Sequence, residues 1–187
     1  IDDREVGYHS FDVTRADGTI HLSSRANFAY RIWRVPIFSY THEVEERYDE
    51  NLCLQFIEST TQTRSEKIGL NGERTERGFA VTIIDGRKTT DFKVDCLQTF
   101  AYWSPKLLKQ TQLLNGQDGR LMPIRISALT INEDDDSGQE SYRLQADSLD
   151  LTLHYTKEGQ WLGLESILPA GRRLTYKLEA YRSADTR

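Results

Sequence analysis

No stretch of this chain approaches the ~18 continuous apolar residues that a membrane-crossing helix requires. Its first residues lack the basic-then-apolar layout of an export leader. The chain opens on Ile1-Asp2-Asp3-Arg4-Glu5-Val6, which reads as the middle of a hairpin, so a first strand is expected before residue 1, either removed together with a leader or absent from this sequence. Positive charge is scarce: 24 Lys and Arg stand against 29 Asp and Glu, for a net charge of −5. Neither basic residue forms a run that could track a phosphate backbone, so nucleic acid is not an expected partner. There is no Gly-x-Ser-x-Gly elbow, no glycine-rich phosphate loop ahead of a helix, and no cysteine beside an evident base. Those absences remove the commonest sequence signals for a serine hydrolase, a nucleotide enzyme and a thiol enzyme.

What the chain has is period-2 alternation between turn signals. Val6–Val13 and Thr19–Tyr30 flank Ala16-Asp17-Gly18-Thr19 as a hairpin. Pro36 interrupts the next ladder near Arg34–Ile37, and Phe38–Tyr48 then resumes with Tyr40, His42, Val44 and Glu46 on one face. Leu52–Thr61 follows the Asp49-Glu50-Asn51 turn, and Asn71-Gly72 predicts a further tight turn within a polar stretch. Phe79–Ile84 and Thr89–Val94, joined at Asp85-Gly86, lead into an aromatic strand over 97–103. Ser104 as cap, Pro105 at the first helical position, leucines at 107, 108 and 114, and the Asn115-Gly116 stop predict a helix over 104–115. Beyond it, Leu121–Ile131, Tyr142–Ala146, Leu149–Tyr155, Trp161–Ile167 and Leu174–Leu178 alternate again. The expected fold is therefore mainly β: one domain over 1–187, a single curled antiparallel meander of about ten strands, open or closed like a barrel. The helix at 104–115 would cover or plug its concave side.

Sites are sparse. His42-Glu43 invites comparison with a zinc-protease helix, but the residue four beyond His42 is Glu46, and consecutive strand residues face opposite sides. Glu133–Gly138 starts like a calcium loop, yet its twelfth position falls on Leu144, which cannot ligate, so a solvated hairpin loop is the better account. No metal or cofactor is expected. His9, His21 and His154 read as satisfied sheet residues. Phe100, Tyr102 and Trp103 form the densest aromatic cluster, and a core role between helix and sheet outweighs a ligand platform. Cys53 and Cys96 either pair, contributing about 4 kcal/mol by closing a long loop, or stay as two buried thiols.

Taken together, Phe100-Ala-Tyr-Trp-Ser-Pro105, Leu113-Leu-Asn-Gly-Gln-Asp-Gly-Arg-Leu-Met-Pro123, His42-Glu43 ahead of Cys53, Leu162-Gly-Leu-Glu-Ser166, Gly171–Leu178 and the opening Gly7-Tyr8-His9 resemble the uncharacterised domain-of-unknown-function family 6134. The resemblance implies an exported, periplasmic bacterial protein with a β-rich fold and no established activity. It also implies that Cys53 and Cys96 form a disulfide in an oxidising compartment. The function expected is the binding of an apolar or amphipathic envelope molecule, or of an envelope protein, in a groove between curled sheet and helix. Phe100, Tyr102, Trp103, Leu107 and His42 are its candidate contacts. The alternative is a hydrolase acting on envelope polysaccharide or ester, with a carboxylate pair or His42 as the acid–base group.

Overall fold

The computed structural model describes residues 1–2, 4–32, 35–84, 88–129, 138–147, 149–168 and 171–180. Trp33, Arg34, the Asp85-Gly86 turn and the acidic stretch 133–137 lie outside them. The structure is mainly β and antiparallel, as the alternation predicts. Its strands fall into two principal sheets rather than the single one expected, and among the described residues no pairing closes either sheet. They belong to two compact units.

The first unit comprises Glu5–Phe100 with Leu114–Leu121. It carries a seven-stranded meander in chain order: β1 (Gly7–Ala16), β2 (Thr19–Ile32), β3 (Val35–Asp49), β4 (Leu54–Thr63), β5 (Lys67–Thr75), β6 (Gly78–Ile83) and β7 (Lys88–Phe92). The β1–β2 turn uses Asp17 and Gly18, both at positive φ (50° and 73°), the conformation that matches the twist of a two-residue hairpin. At the β3–β4 corner the Asp49 carboxylate accepts from the backbone N–H of Asn51 and Cys53, both at 2.9 Å, and so fixes a turn that strand pairing alone would leave open. The core of this unit includes Leu54, Ile57 and Leu70, all fully buried, with Phe79, Val81 and Leu97.

The second unit comprises Ile1–Arg4, Ala101–Leu113 and Met122–Arg187. It holds a five-stranded meander of β10 (Arg125–Leu129), β11 (Gln139–Ala146), β12 (Leu149–Thr156), β13 (Trp161–Leu168) and β14 (Arg172–Lys177). Leu144, Leu151, Leu153, Tyr155 and Leu164 line its core. Asp2 borders β14: its N–H donates to the Arg173 carbonyl, and its carboxylate accepts from the Arg173 N–H and the Arg172 guanidinium. A short pair, β8 (Gln112–Leu114) and β9 (Leu121–Pro123), carries the chain between the units.

Three local expectations are corrected. The helix over 104–115 is not formed. Ser104 does cap and Pro105 does start a turn, but the turn is 3-10, ends at Lys109, and gives way to extended backbone at Gln110. Five residues in 3-10 geometry form a weak nucleus, and Gln112–Leu114 finds stronger partners as β8. Residues 97–103 are likewise not a strand; they run as irregular chain with one isolated bridge, Thr99 to Leu114.

Asn71-Gly72, expected as a turn, sits in the middle of β5 opposite Thr82 and Val81. The glycine serves packing instead. A Cβ there would lie 2.7 Å from Phe79 Cε1 and 2.8 Å from Ile57 Cγ2, so the missing side chain is the space those two core residues fill. Gly72→Ala is expected to lower stability in urea denaturation by about 1–3 kcal/mol through overpacking; a change within about 0.5 kcal/mol, the range of neutral surface substitutions, contradicts this account.

Candidate functional site

Strand β3 lies between β2 and β4, and its register decides what the first sheet buries. Ala26 and Thr61 flank His42, Ser24 and Ser59 flank Val44, Leu22 and Ile57 flank Glu46, and Ile20 and Leu54 flank Tyr48. The inward series Tyr40, His42, Val44, Glu46 and Tyr48 therefore carries four polar side chains onto the face that also carries the core. Two groupings result.

The first is a buried carboxyl. Glu46 is 4% exposed. The Tyr48 hydroxyl donates to Glu46 Oε2 at 2.5 Å and shares a 2.8 Å hydrogen bond with Thr99 Oγ1. Thr99 also hydrogen-bonds the Glu46 carboxyl. Loss of water around the charge outweighs both hydroxyls and pushes the Glu46 carboxyl up to about 7. The Tyr48 hydroxyl is itself pushed well above its ordinary range, first by burial and then by Glu46. Thr99 is brought here by a staple. Cys53 and Cys96 form a disulfide across 43 residues with Cα atoms 4.8 Å apart. Beside it the Leu54 N–H donates to the Leu97 carbonyl and the Leu114 N–H to the Gln98 carbonyl, both at 2.8 Å. Leu97, Gln98 and Thr99 are consequently buried although they belong to no strand.

The second grouping is an aromatic–imidazole strip at the other end of the same face. Phe28 and Tyr40 stack with ring centroids 5.8 Å apart and planes at 13°, and Phe38 continues the stack from Tyr40 at 6.2 Å and 9°. His9 packs on Phe11 at 4.1 Å and on the edge of Phe28; its Nε2 hydrogen-bonds Ser24 Oγ at 2.8 Å. His42 borders Tyr40, and its Nδ1 hydrogen-bonds Thr61 Oγ1 at 2.9 Å. Both imidazoles are held down to about 4 by loss of water, His9 additionally by His42, so both are neutral near pH 7. Phe28 is buried whereas Phe38 is 41% exposed, so the strip runs from the core to the surface. His42 and Glu46 are four residues apart on one strand, roughly 13 Å, and cannot exchange a proton directly.

The residues singled out from sequence fall in both units. His42 and Phe100 belong to the first unit; Tyr102, Trp103 and Leu107 belong to the second. Leu107 is fully buried and presents no surface to a ligand. The Tyr102 carbonyl accepts from the Tyr155 hydroxyl at 2.9 Å, which ties the aromatic segment to β12. Two shallow, solvent-open depressions occur in the first unit, one beside Phe79 and Phe92, the other at the Asp17-Gly18 turn, and neither is lined by the five candidates. Sequence reasoning missed Tyr48, Thr99 and Ser24 altogether and set His9 aside. The available signal was Glu46, an acidic residue in an inward-facing series.

Residues 1–179 match the family model described as Domain of unknown function (DUF6134). No curated protein and no solved structure shows a significant match.

Reducing the disulfide, or replacing both cysteines by serine, is expected to lower stability by about 4 kcal/mol, the loop-closure value for a separation of this size; equal urea midpoints with and without reductant refute the staple. A second expectation concerns pH. Because Glu46 is raised in the folded state, its contribution is full below its ordinary value of 4.5 and is lost as pH rises through about 7. The stability of wild type relative to Glu46→Gln should therefore fall by up to about 3 kcal/mol between pH 4.5 and 8, read from urea denaturation at each pH; a constant difference rejects the assignment. The comparison with the variant cancels the histidines, whose depressed values act in the opposite sense, losing stability as pH falls from 6.5 toward 4.

Proposed function

We propose that this chain, which belongs to the DUF6134 family, is an exported binding protein that takes an apolar or amphipathic envelope ligand against the aromatic–imidazole strip of β1–β3. The observation that carries the reading is the near-parallel stack Phe28–Tyr40–Phe38, emerging from the core to end on an exposed ring. An exposed ring continuous with a buried stack is a low-entropy platform for a flat apolar group. His9 and His42, neutral near pH 7 and hydrogen-bonded to Ser24 and Thr61, edge the platform with polar groups at little desolvation cost, which suits an amphipathic partner. Of the residues first expected to touch a ligand, His42 is the one kept on this strip.

Export is supported by the Cys53–Cys96 disulfide, since such bonds persist in oxidising compartments. Among the described residues no helix is long and apolar enough to cross a membrane. For the hydrolytic alternative, the carboxyl poised closest to neutrality, Glu46, is 4% exposed and bonded to Tyr48 and Thr99, out of reach of a substrate.

Native mass spectrometry of the protein as purified, joined to titration with the fluorescent apolar probe anilinonaphthalene sulfonate, tests the reading. Wild type should carry a bound amphiphile or bind the probe, and Phe38→Ala/Tyr40→Ala should weaken binding about tenfold or more, as expected for loss of two stacked rings. A bare mass, together with the same probe response in wild type and variant, removes the support.

A further inference from the structure

The other end of β3 carries a separate inference, independent of the ligand reading. Tyr48 is eight residues from Tyr40 along the strand, roughly 25 Å, so the Glu46 cluster does not share the strip's chemistry. Its composition is unusual for a structural cluster. Tyr48 and Thr99 are hydroxyls, each with one proton to give, and they meet one carboxyl. With Glu46 neutral, the three groups can close a ring: Tyr48 donates to the carboxyl, the carboxyl proton goes to Thr99, and Thr99 donates to Tyr48. With Glu46 ionised that ring loses a donor, and a charge sits among Leu22, Ile57 and Val44, none of which can solvate it. Among the described residues no cation offsets it; Tyr48 is the one other titratable group facing it, and Tyr48 contributes only a hydroxyl.

Relief has one route that leaves the sheet intact. β2, β3 and β4 are held by extended ladders, with a register shift between Arg47 and Tyr48 on the β3–β4 side, whereas Leu97–Thr99 is held by two backbone hydrogen bonds, the Thr99 hydroxyl and its own burial. Lifting that segment would admit water to Glu46 at small cost in pairing. Its anchor stays behind, because Cys96 is exposed and bonded to Cys53 in the β3–β4 corner. A tethered three-residue segment recloses without diffusing away.

We infer that Leu97–Thr99 is a proton-sensitive latch: it closes over the neutral Glu46 carboxyl and loosens when that carboxyl ionises, while the Cys53–Cys96 disulfide keeps it in place. Opening frees the Leu54 and Leu114 N–H groups and uncovers Leu97, so the loosened form offers an apolar side chain beside unpaired backbone donors at one end of the sheet.

Amide hydrogen exchange of the full, oxidised chain, followed by mass spectrometry at pH 5.5 and 8.5 and corrected for intrinsic exchange, tests this. Protection at the Leu54 and Leu114 amides, which donate to this segment's carbonyls, should fall by up to about thirtyfold between the two pH values, as expected for a group moved from 4.5 toward about 7 when covered. β5 and β6 should change much less. Glu46→Gln should flatten the fall at Leu54 and Leu114. In wild type labelled with 13C at glutamate carboxyls, a resonance titrating near 7 should share the midpoint of the protection loss, which keeps the test open if the variant does not fold. The latch is overturned if Leu54 and Leu114 follow β5 and β6 at both pH values, if Glu46→Gln retains the fall, or if the two midpoints differ.

Discussion

The pairing register of β3 is the constraint on which the rest of the first unit depends. A shift by one residue would turn Glu43, Glu45 and Arg47 inward and expose Val44, Glu46 and Tyr48. The register is pinned at both ends. Asp49 locks the β3–β4 corner through two backbone N–H groups, and the β2–β3 ladder is continuous from Thr19 opposite Asp49 to Tyr30 opposite Phe38. Once that alignment is set, the sheet must bury a carboxyl and half-bury two imidazoles, and the surrounding structure is arranged around satisfying them.

Satisfaction takes different forms along the strand. At the His9 and His42 end, each neutral imidazole bonds a hydroxyl from within the ladder, Ser24 on β2 and Thr61 on β4. At the Glu46 end, one hydroxyl comes from the same strand and the other from outside the sheet, through Thr99. This explains why an irregular segment is as buried as a strand. Its position follows from the disulfide and from backbone bonds to Leu54 and Leu114. The two ends respond to pH in opposite senses, because burial disfavours the charged form of an acid and of a base alike.

In the second unit the aromatic segment serves structure. Its carbonyl at Tyr102 is held by Tyr155, Ser104 caps the short turn, and Leu107 fills the core. Pro105 approaches Gly159 in the β12–β13 turn, where an added Cβ would lie 3.0 Å from the proline ring. The stack that reaches the surface, Phe28, Tyr40 and Phe38, is assembled across the neighbouring strands β2 and β3.

The sequence by itself determined the antiparallel β character, the Asp17-Gly18 hairpin, most strands of both sheets and the inward face of β3. Each of these rests on alternation or turn chemistry within a few residues. It misread Asn71-Gly72 and the segment 104–115 because local preference there is genuine but weak: a glycine suits a turn until Ile57 and Phe79 need its empty side, and a capped serine–proline start propagates no helix once Gln112–Leu114 can pair as a strand. Only the tertiary structure decided the division into two sheets, the meeting of Thr99 with Tyr48 and Glu46, and the joining of Phe28 to Tyr40 and Phe38. Those contacts join residues that only strand pairing or burial brings together, and the free energy that selects them comes from burial and from satisfying buried polar groups, which no local pattern encodes.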